Sequence, residues 1–562
     1  MKLKLRLLFP LLCLLTLLAV PALAASTPKI YATCPSAGDN ATVQMRIVNT
    51  KCTLSLPGSW DATQIVLSST SMEQITIDGT VYNCNEPVDL SGLLGRKVKL
   101  KKGNNKTNIG TLTILQGSYV PTLHITVDSK QLSSANHSKD TVITEGDVLF
   151  VEADGTVTYD GTLETFHGRG NSTFMYTKKP YQLKLSEKTS LAGMDAAKTW
   201  ILLANWSDLS LIRSQIMYDL CADVGLRFAI DCSPVDVWIN GIYNGLYLLC
   251  EKVQIGTGRV EITNLEKATE KVNDTDVSTA KHFKVNPDGS YALKSMMGYK
   301  IANDPEDITG GYIIEMEKSH RYNDKGTNGF RTNSGIPFII KEPTYASEAQ
   351  VAYIGGLVND FQLALRAEDG VSPVTGTYYA DYINTESFAL KYVLEEFCKN
   401  YDSQGSSQFF YKDSDSVDPL LYAGPCWDYD LCFGNARTDF YNGSLPTLDH
   451  LIDSPSKANL YWLLWNHDDF SALVKETWYT RLAPLVSILV GESEPVEGGR
   501  VKSLDAYAEA IAASAEMNFE RYPESTVQNY YEGSGNTHEK SVAYLKKWIS
   551  QRFAWMNDNW AE

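Results

Sequence analysis

Residues 26–118 alternate apolar and polar positions in short runs. ATVQMRIVN, IVLSSTS, QITIDGTVYNC, KVKLKKG and IGTLTIL are rich in β-branched residues and are separated by Gly, Asn and Asp turns such as GNNK. A period of two in runs of this length predicts a small all-β sandwich. It is Ig-like in size but lacks the Cys…Trp…Cys spacing of true Ig domains. A spacer or surface-adhesion module is the plain reading of such a unit, placed at 25–118.

From 119 the pattern changes in two stages. PTLHITVD, DTVITEGDVLFVEADG and TLETFHGRGNSTF read as strands, and in KPYQLKLS the apolar Tyr181, Leu183 and Leu185 alternate with Gln182 and Lys184. Ile212, Ile216 and Leu220 recur every four residues, which predicts a helix from Asp208 to Val224 capped by Ser207 or Asp208. VDVWINGIYNGLYLLCEKV is a hairpin turning at Asn240-Gly241, and GGYIIEMEK and IPFIIKEP are further strands. The polar stretch 263–308 reads as an inserted loop. From about 346 the periodicity becomes helical, with a helix over 384–399 capped by Asn384 and others over 456–491, 501–521 and 537–559. QFFYKD returns to a strand, and GPCWDYDLCFGN (424–435) is expected to be one as well. Asp428 and Asp430 would then share a face. The fold class expected is α+β: two lobes over 119–562, strand-rich first and helical second, with a ligand held between them.

Composition narrows the function. The 562 residues carry a net charge of −17 and a pI near 5.0, which argues against a nucleic-acid partner and against adhesion to anionic lipid. The same balance points to a basic or neutral protein substrate. The N-terminus reads MKLKLRLLFPLLCLLTLLAVPALAAS: basic residues, an apolar stretch, then Ala22-Leu23-Ala24. This predicts a secretory signal peptide over 1–24 and a secreted or cell-surface protein. No other run has the length of a membrane span. Nine of the 10 cysteines lie beyond the leader, and no CxxC or HExxH suggests zinc.

Four clusters carry candidate chemistry. In His167-Gly168-Arg169-Gly170-Asn171-Ser172-Thr173, glycines between strands let backbone amides approach an anion, or simply make a tight turn. Lys184 follows on a strand, where it could pair with phosphate or face solvent. Asp402, in NYDSQGSS after the 384–399 helix, could accept a hydroxyl proton or close an Asx turn. Asp428 and Asp430 in apolar surroundings call for a cation: Mg²⁺ or Mn²⁺ bridging nucleotide phosphates, or calcium. The order of glycine turn, strand lysine, helix, loop aspartate, strand and metal aspartates is that of a protein-kinase-like core.

GRGNSTF, KKPYQLKL, LAGMDAAKTWILLANWSDLSLIRSQIMYDL, VWINGIYNGLYLLCEKV, TGGYIIEMEK and GPCWDYDLCFGN together resemble the CotH kinase family, the spore-coat-protein-H-like atypical kinases, over roughly residues 119–560. The resemblance implies transfer of the ATP γ-phosphate to Ser or Thr of extracellular or coat proteins with Mg²⁺ or Mn²⁺. It implies Asp402 as the catalytic aspartate and Asp428 and Asp430 as metal ligands. Lys184 would contact phosphates, and Gly168, Arg169, Gly170, Asn171 and Ser172 would hold the nucleotide. Glu251 would be the nucleotide-side glutamate or a strand-closing residue. Asn205, Asp208 and Arg213 also match, without an assigned role. Phe174 stands where the family often has Trp, and Ser407 stands at the position of a second metal ligand where some members have Asn. Two other classes compete: a catalytically silent kinase-like scaffold or adhesion protein, and a carbohydrate-active protein. Glycosidase carboxylates stand about 5–10 Å apart, and the metal-like spacing of the two aspartates disfavours that last class.

Overall fold

The computed structural model describes residues 28–560 apart from 105–106, 324–327, 437–459 and 528–535. The signal peptide expected over 1–24 and the first residues of the helix expected over 456–491 lie outside the described residues.

The alternating runs at the N-terminus form two sheets, one of four strands and one of six. In the larger, Thr107–Gln116 pairs in parallel with Lys51–Leu56 and antiparallel with Lys97–Lys102. Ile30, Leu54, Leu67, Ile75 and Leu112 from both sheets share one apolar core. The sandwich is tied to the remainder of the chain. Gln44 N donates to Gly241 O at 2.7 Å, and Lys51 pairs with Glu520 at 2.7 Å. A side chain at Gly117 would bring its Cβ within 2.5 Å of Asp236 Oδ2, so glycine is required where the chain crosses over.

The next seven strands close into a barrel in the order Thr122–Thr126, Asp147–Val151, Val157–Gly168, Tyr181–Thr189, Ala197–Leu203, Ile242–Glu251 and Cys232–Ile239, shut by a parallel pairing of Thr122–Thr126 with Cys232–Ile239. Leu123, Phe150, Phe166, Leu183, Trp200 and Leu249 fill the inside, as the alternation predicts for a barrel this small. The hairpin turns at Asn240 (φ 51) and Gly241 (φ 77), left-handed positions that Asn-Gly supplies cheaply.

The stretch 263–308 is more ordered than its polarity suggests. It contains the helix Leu265–Lys271 and the strands His282–Val285 and Ser295–Tyr299, which begin a second seven-stranded sheet. His282–Val285 is the edge strand with one buried position, and Ser295–Tyr299 beside it is short and has no β-branched residue, so both read as loop. The sheet continues through Gly329–Arg331, Pro337–Glu342, Tyr312–Met316, Gln408–Lys412 and Leu421–Ala423. Helices Arg213–Asp223, Glu348–Arg366, Thr385–Cys398 and His538–Trp560 contribute to one large core with this sheet. Strand and helix are therefore interleaved after the barrel.

Two local expectations are corrected. The helix expected from Asp208 starts at Arg213, because the Asp208 carboxylate is taken up by Ser210 and by the Arg213 amide rather than capping a helix at 208. Residues 424–435 are irregular backbone, with Asp428 left-handed at φ 72. Here the apolar anchors recur every third residue, a spacing no strand can bury on one side.

Burial of several acids makes stability pH-dependent. Burial pushes the Asp219 carboxyl up to about 7 and that of Asp236 up to about 6; burial and then Glu266 raise Glu342 to about 7. Each holds a proton in the native state that the unfolded chain releases. Their contribution is complete below the ordinary carboxylate range and is lost as pH rises through 6 to 7. Burial lowers His124 to about 3, so its contribution is lost as pH falls below the ordinary imidazole value. Burial also raises Glu251 to about 7 and, in the opposite sense, lowers Lys178 to about 7. With these carboxyls outnumbering the two bases, Tm should rise by a few degrees between pH 7.5 and pH 5.5, measured calorimetrically, and a monotonic fall would refute the assignment.

Candidate active site

A cavity of about 720 Å³ lies between the barrel and the second sheet, a size suited to a nucleotide-sized ligand. Its floor is the sheet, where Ile339, Glu315 and Phe409 are direct cross-strand partners. The opposite sheet face carries Ile314, Phe338 and Phe410 into the core. Its far wall is the loop Gly168–Thr173 between two barrel strands, together with Asn205–Ser207.

The glycine loop needs its glycines. A Cβ at Gly168 would stand 2.2 Å from the Phe174 ring, and one at Gly170 (φ +87) would stand 2.2 Å from Thr173 Oγ1. Arg169 crosses the cavity wall with its guanidinium 5.3 Å from the Trp427 ring centre. Burial lowers its pKa against the opposing pull of Asp428.

The segment bearing the two aspartates is held by its buried members. Cys426, Tyr429, Cys432 and Phe433 are fully buried, while Asp428 and Asp430 reach the cavity between them. Tyr429 OH donates to Glu395 at 2.8 Å, and Lys391, itself paired with Glu395, contacts the same hydroxyl at 3.1 Å. Both come from the helix Thr385–Cys398, one turn apart. From the other side Arg213 Nε donates to Cys432 O at 3.1 Å, and Asn435 Nδ2 donates to Ser207 O and Asp430 O, each at 2.7 Å. Asp208, paired with Arg213 in full burial, thus fixes the aspartate loop from beneath. Asn205 Nδ2 donates to Leu211 O at 3.1 Å and holds the turn before Arg213.

Asp402 arrives from a second loop. The helix Thr385–Cys398 ends at Lys399 (φ 48), and Asn400 accepts from the Asp402 amide at 3.2 Å to start the next turn. Asp402 Oδ1 accepts from Ser406 Oγ at 2.8 Å and from Lys318 at 3.3 Å. Next to Ser406, the Ser407 hydroxyl donates to Asp428 Oδ2 at 3.0 Å. Consecutive serines therefore connect the carboxylates of the two loops.

This gathering of negative charge shows in the titration. Burial, then Asp402, raise Asp428 to about 6. Burial, then Asp428, Asp402 and Asp208, push Asp430 well above the carboxylate range. Both open into the cavity while protein surrounds them on the remaining sides. A cation placed there would lower both. The donors are carboxylate and hydroxyl oxygens, the hard set that Mg²⁺ or Mn²⁺ takes. Among the described residues no group of three or more His, Cys, Asp or Glu side chains gathers tightly enough to hold a metal by itself. Two carboxylates fit the habit of Mg²⁺, which keeps waters and takes its other ligands from phosphate oxygens.

The structure thus brings Asp402, Ser407, Asp428, Asp430 and Gly168–Ser172 to one cavity. It does not bring Lys184 or Glu251 there. Leu183 and Leu185 point into the barrel, so Lys184 points out, 3.1 Å from Glu164. Glu251 is buried against Arg259 and accepts from Asp231 N at 3.1 Å, closing the end of its strand. Cations that sequence reasoning passed over line the cavity instead: Lys318, Arg321 and Lys341. Arg321 pairs with Glu317 at 2.6 Å and Lys341 with Glu315 at 3.1 Å. The signal was present in GGYIIEMEK, where Glu315 and Glu317 share one face of an otherwise apolar strand.

A family model described as CotH kinase protein matches residues 166–556. No curated protein matches the chain.

Proposed function

The chain belongs to the CotH kinase family, and from that premise we propose that it transfers the γ-phosphate of ATP to Ser or Thr hydroxyls of extracellular or coat proteins. The observation that carries the proposal is the convergence of Asp402 with Asp428 and Asp430, from separate loops, opposite the glycine loop in a single cavity. The barrel would serve as the strand-rich lobe, the second sheet with its helices as the other lobe, and 25–118 as an appended module. The leader sequence supports export.

The roles derive from position. Asp428 and Asp430, with the Ser407 hydroxyl beside them, would hold Mg²⁺ or Mn²⁺. When bound, such an ion would offset the negative charge of the phosphates. The amides of Gly168–Ser172 and the Arg169 guanidinium hold the remaining oxygens. Asp402, oriented by Ser406 and Lys318, accepts the proton of the acceptor hydroxyl at Oδ1 or Oδ2. Phosphoryl transfer asks for this positioning and charge neutralisation rather than a protein nucleophile.

Incubation with γ-labelled ATP and either metal tests the reading: label should appear on the protein or on a general acceptor. Absence of label, together with no ATP-induced rise in Tm, would leave a kinase-like scaffold. Within the same assay Lys184→Ala should stay within about twofold of wild type, because its partner Glu164 is on the barrel exterior. Arg169→Ala should raise the KM for ATP about tenfold or more, the scale of one charge-assisted contact. The reverse ranking would return the phosphate role to Lys184.

A further inference from the structure

All nine cysteines of the described residues are free thiols in the structure, and six of them are placed in pairs. Cys232 and Cys250 are direct partners on adjacent antiparallel strands, which sets their side chains side by side. Such partners stand about 4.5–5.5 Å apart at Cα, inside the span of about 4.4–6.8 Å that a disulfide bridges. Cys221 lies three residues beyond Tyr218 on the same face of Arg213–Asp223, and Tyr218 packs against Trp427 and Tyr429. That packing turns the helix face of Cys221 toward the segment that holds Cys426, and the two thiols influence one another. Cys398 closes the helix Thr385–Cys398, and its carbonyl accepts from Phe433 N at 2.7 Å, which sets it beside Cys432, the residue before Phe433. The remaining three, Cys34, Cys52 and Cys84, all belong to the N-terminal sandwich.

Two of the pairs join elements far apart in sequence, and both end on the segment that carries Asp428 and Asp430. Two carboxylates that repel one another push their own loop away from the cavity. Cys426 precedes the aspartates by two residues and Cys432 comes two residues after them. A covalent link at each end would oppose that repulsion, and long loops are where a cross-link restricts the unfolded chain most.

We propose that the exported protein carries three disulfides, Cys221–Cys426, Cys398–Cys432 and Cys232–Cys250, and that the first two clamp both ends of the aspartate loop. Each forms by thiol–disulfide exchange. Two protein thiols lose two protons and two electrons, one S–S bond forms, and a disulfide-bearing oxidant of the exporting compartment is reduced to two thiols. Because five of the six sulfurs belong to fully buried residues, exchange takes place as the chain folds.

The test is cysteine mapping of the full chain, secreted through its own leader, denatured and treated with iodoacetamide without reductant. Label is expected on Cys34, Cys52 and Cys84 alone, with three cross-linked peptides joining the stated pairs; after reduction all nine cysteines take label. Label on any of the six before reduction overturns that bridge, and cross-links between other partners overturn the assignment. As a second measurement, dithiothreitol should lower the Tm of the wild type, and Cys221→Ser/Cys426→Ser should lose part of that response where Cys34→Ser keeps all of it. Neither readout needs nucleotide, metal or acceptor, so failure here is distinct from failure of the kinase reading.

Discussion

Asp428→Asn should lower phosphoryl transfer by at least about 100-fold while leaving the metal-free protein as stable as the wild type or more so. The two effects have one cause. Burial and Asp402 raise the Asp428 carboxyl to about 6, so at neutral pH the fold holds a charge it would rather neutralise. Each unit of such a shift is about 1.4 kcal/mol. Because the group opens into the cavity, relief of roughly 1 kcal/mol is the reasonable expectation. Asparagine keeps the shape and still accepts from Ser407, but it supplies neither the charge nor the second oxygen a divalent ion requires. Asp402→Asn should cost about 10²–10⁴ in kcat, the usual worth of a positioned base, and should retain Mg²⁺-dependent stabilisation by ATP. Label transfer, metal-free Tm and the ATP-dependent Tm shift separate these roles. An Asp428→Asn protein that transfers normally, or that loses stability without metal, would make the carboxylate a structural group.

The sequence showed this site unevenly, and the reason is physical. The aspartates and the glycine loop were legible because charge in apolar surroundings and paired glycines between strands are costly unless they have a purpose. Lys184 was placed by analogy of order, but the alternation of Tyr181, Leu183 and Leu185 already directs it away from anything inside or behind the barrel wall. Lys318 and Arg321 were signalled only indirectly, by the acidic face of GGYIIEMEK, because their role depends on a fold-level contact: Lys318 meets Asp402 across a gap of 84 positions in the chain. Among the elements, the barrel hairpin and the helix Thr385–Cys398 arise directly from local pattern and caps. The strands within 263–308 do not: His282–Val285 is a four-residue edge strand, and Ser295–Tyr299 has no β-branched residue. The aspartate segment misled in the opposite direction. Its apolar residues suggested a strand, yet Cys426, Tyr429 and Cys432 are buried by three separate partners rather than by one sheet face.

Those partners make Arg213 the residue on which the site most depends without touching it. Arg213 is fully buried, pairs with an equally buried Asp208, and donates through Nε to the carbonyl of Cys432. Removal of one partner from a buried pair leaves the other charged and uncompensated, which costs about 3–5 kcal/mol. Arg213→Met should therefore lower the urea midpoint markedly. It should also reduce transfer more than the remaining folded fraction explains, because the Cys432 carbonyl loses its anchor and Asp430 its fixed backbone. Asp208→Asn/Arg213→Met removes both charges and should recover about half or more of the lost stability, since no buried ion then stands alone. It should not recover transfer, because the bond to Cys432 is still missing. Arg213→Lys tests the geometry: an ammonium can neutralise Asp208 but lacks the planar fork that reaches the carboxylate and the carbonyl together. If the double variant regained full transfer, the link from Arg213 to the aspartate loop would be electrostatic only, and the hydrogen bond to Cys432 would have no part in placing Asp428 and Asp430.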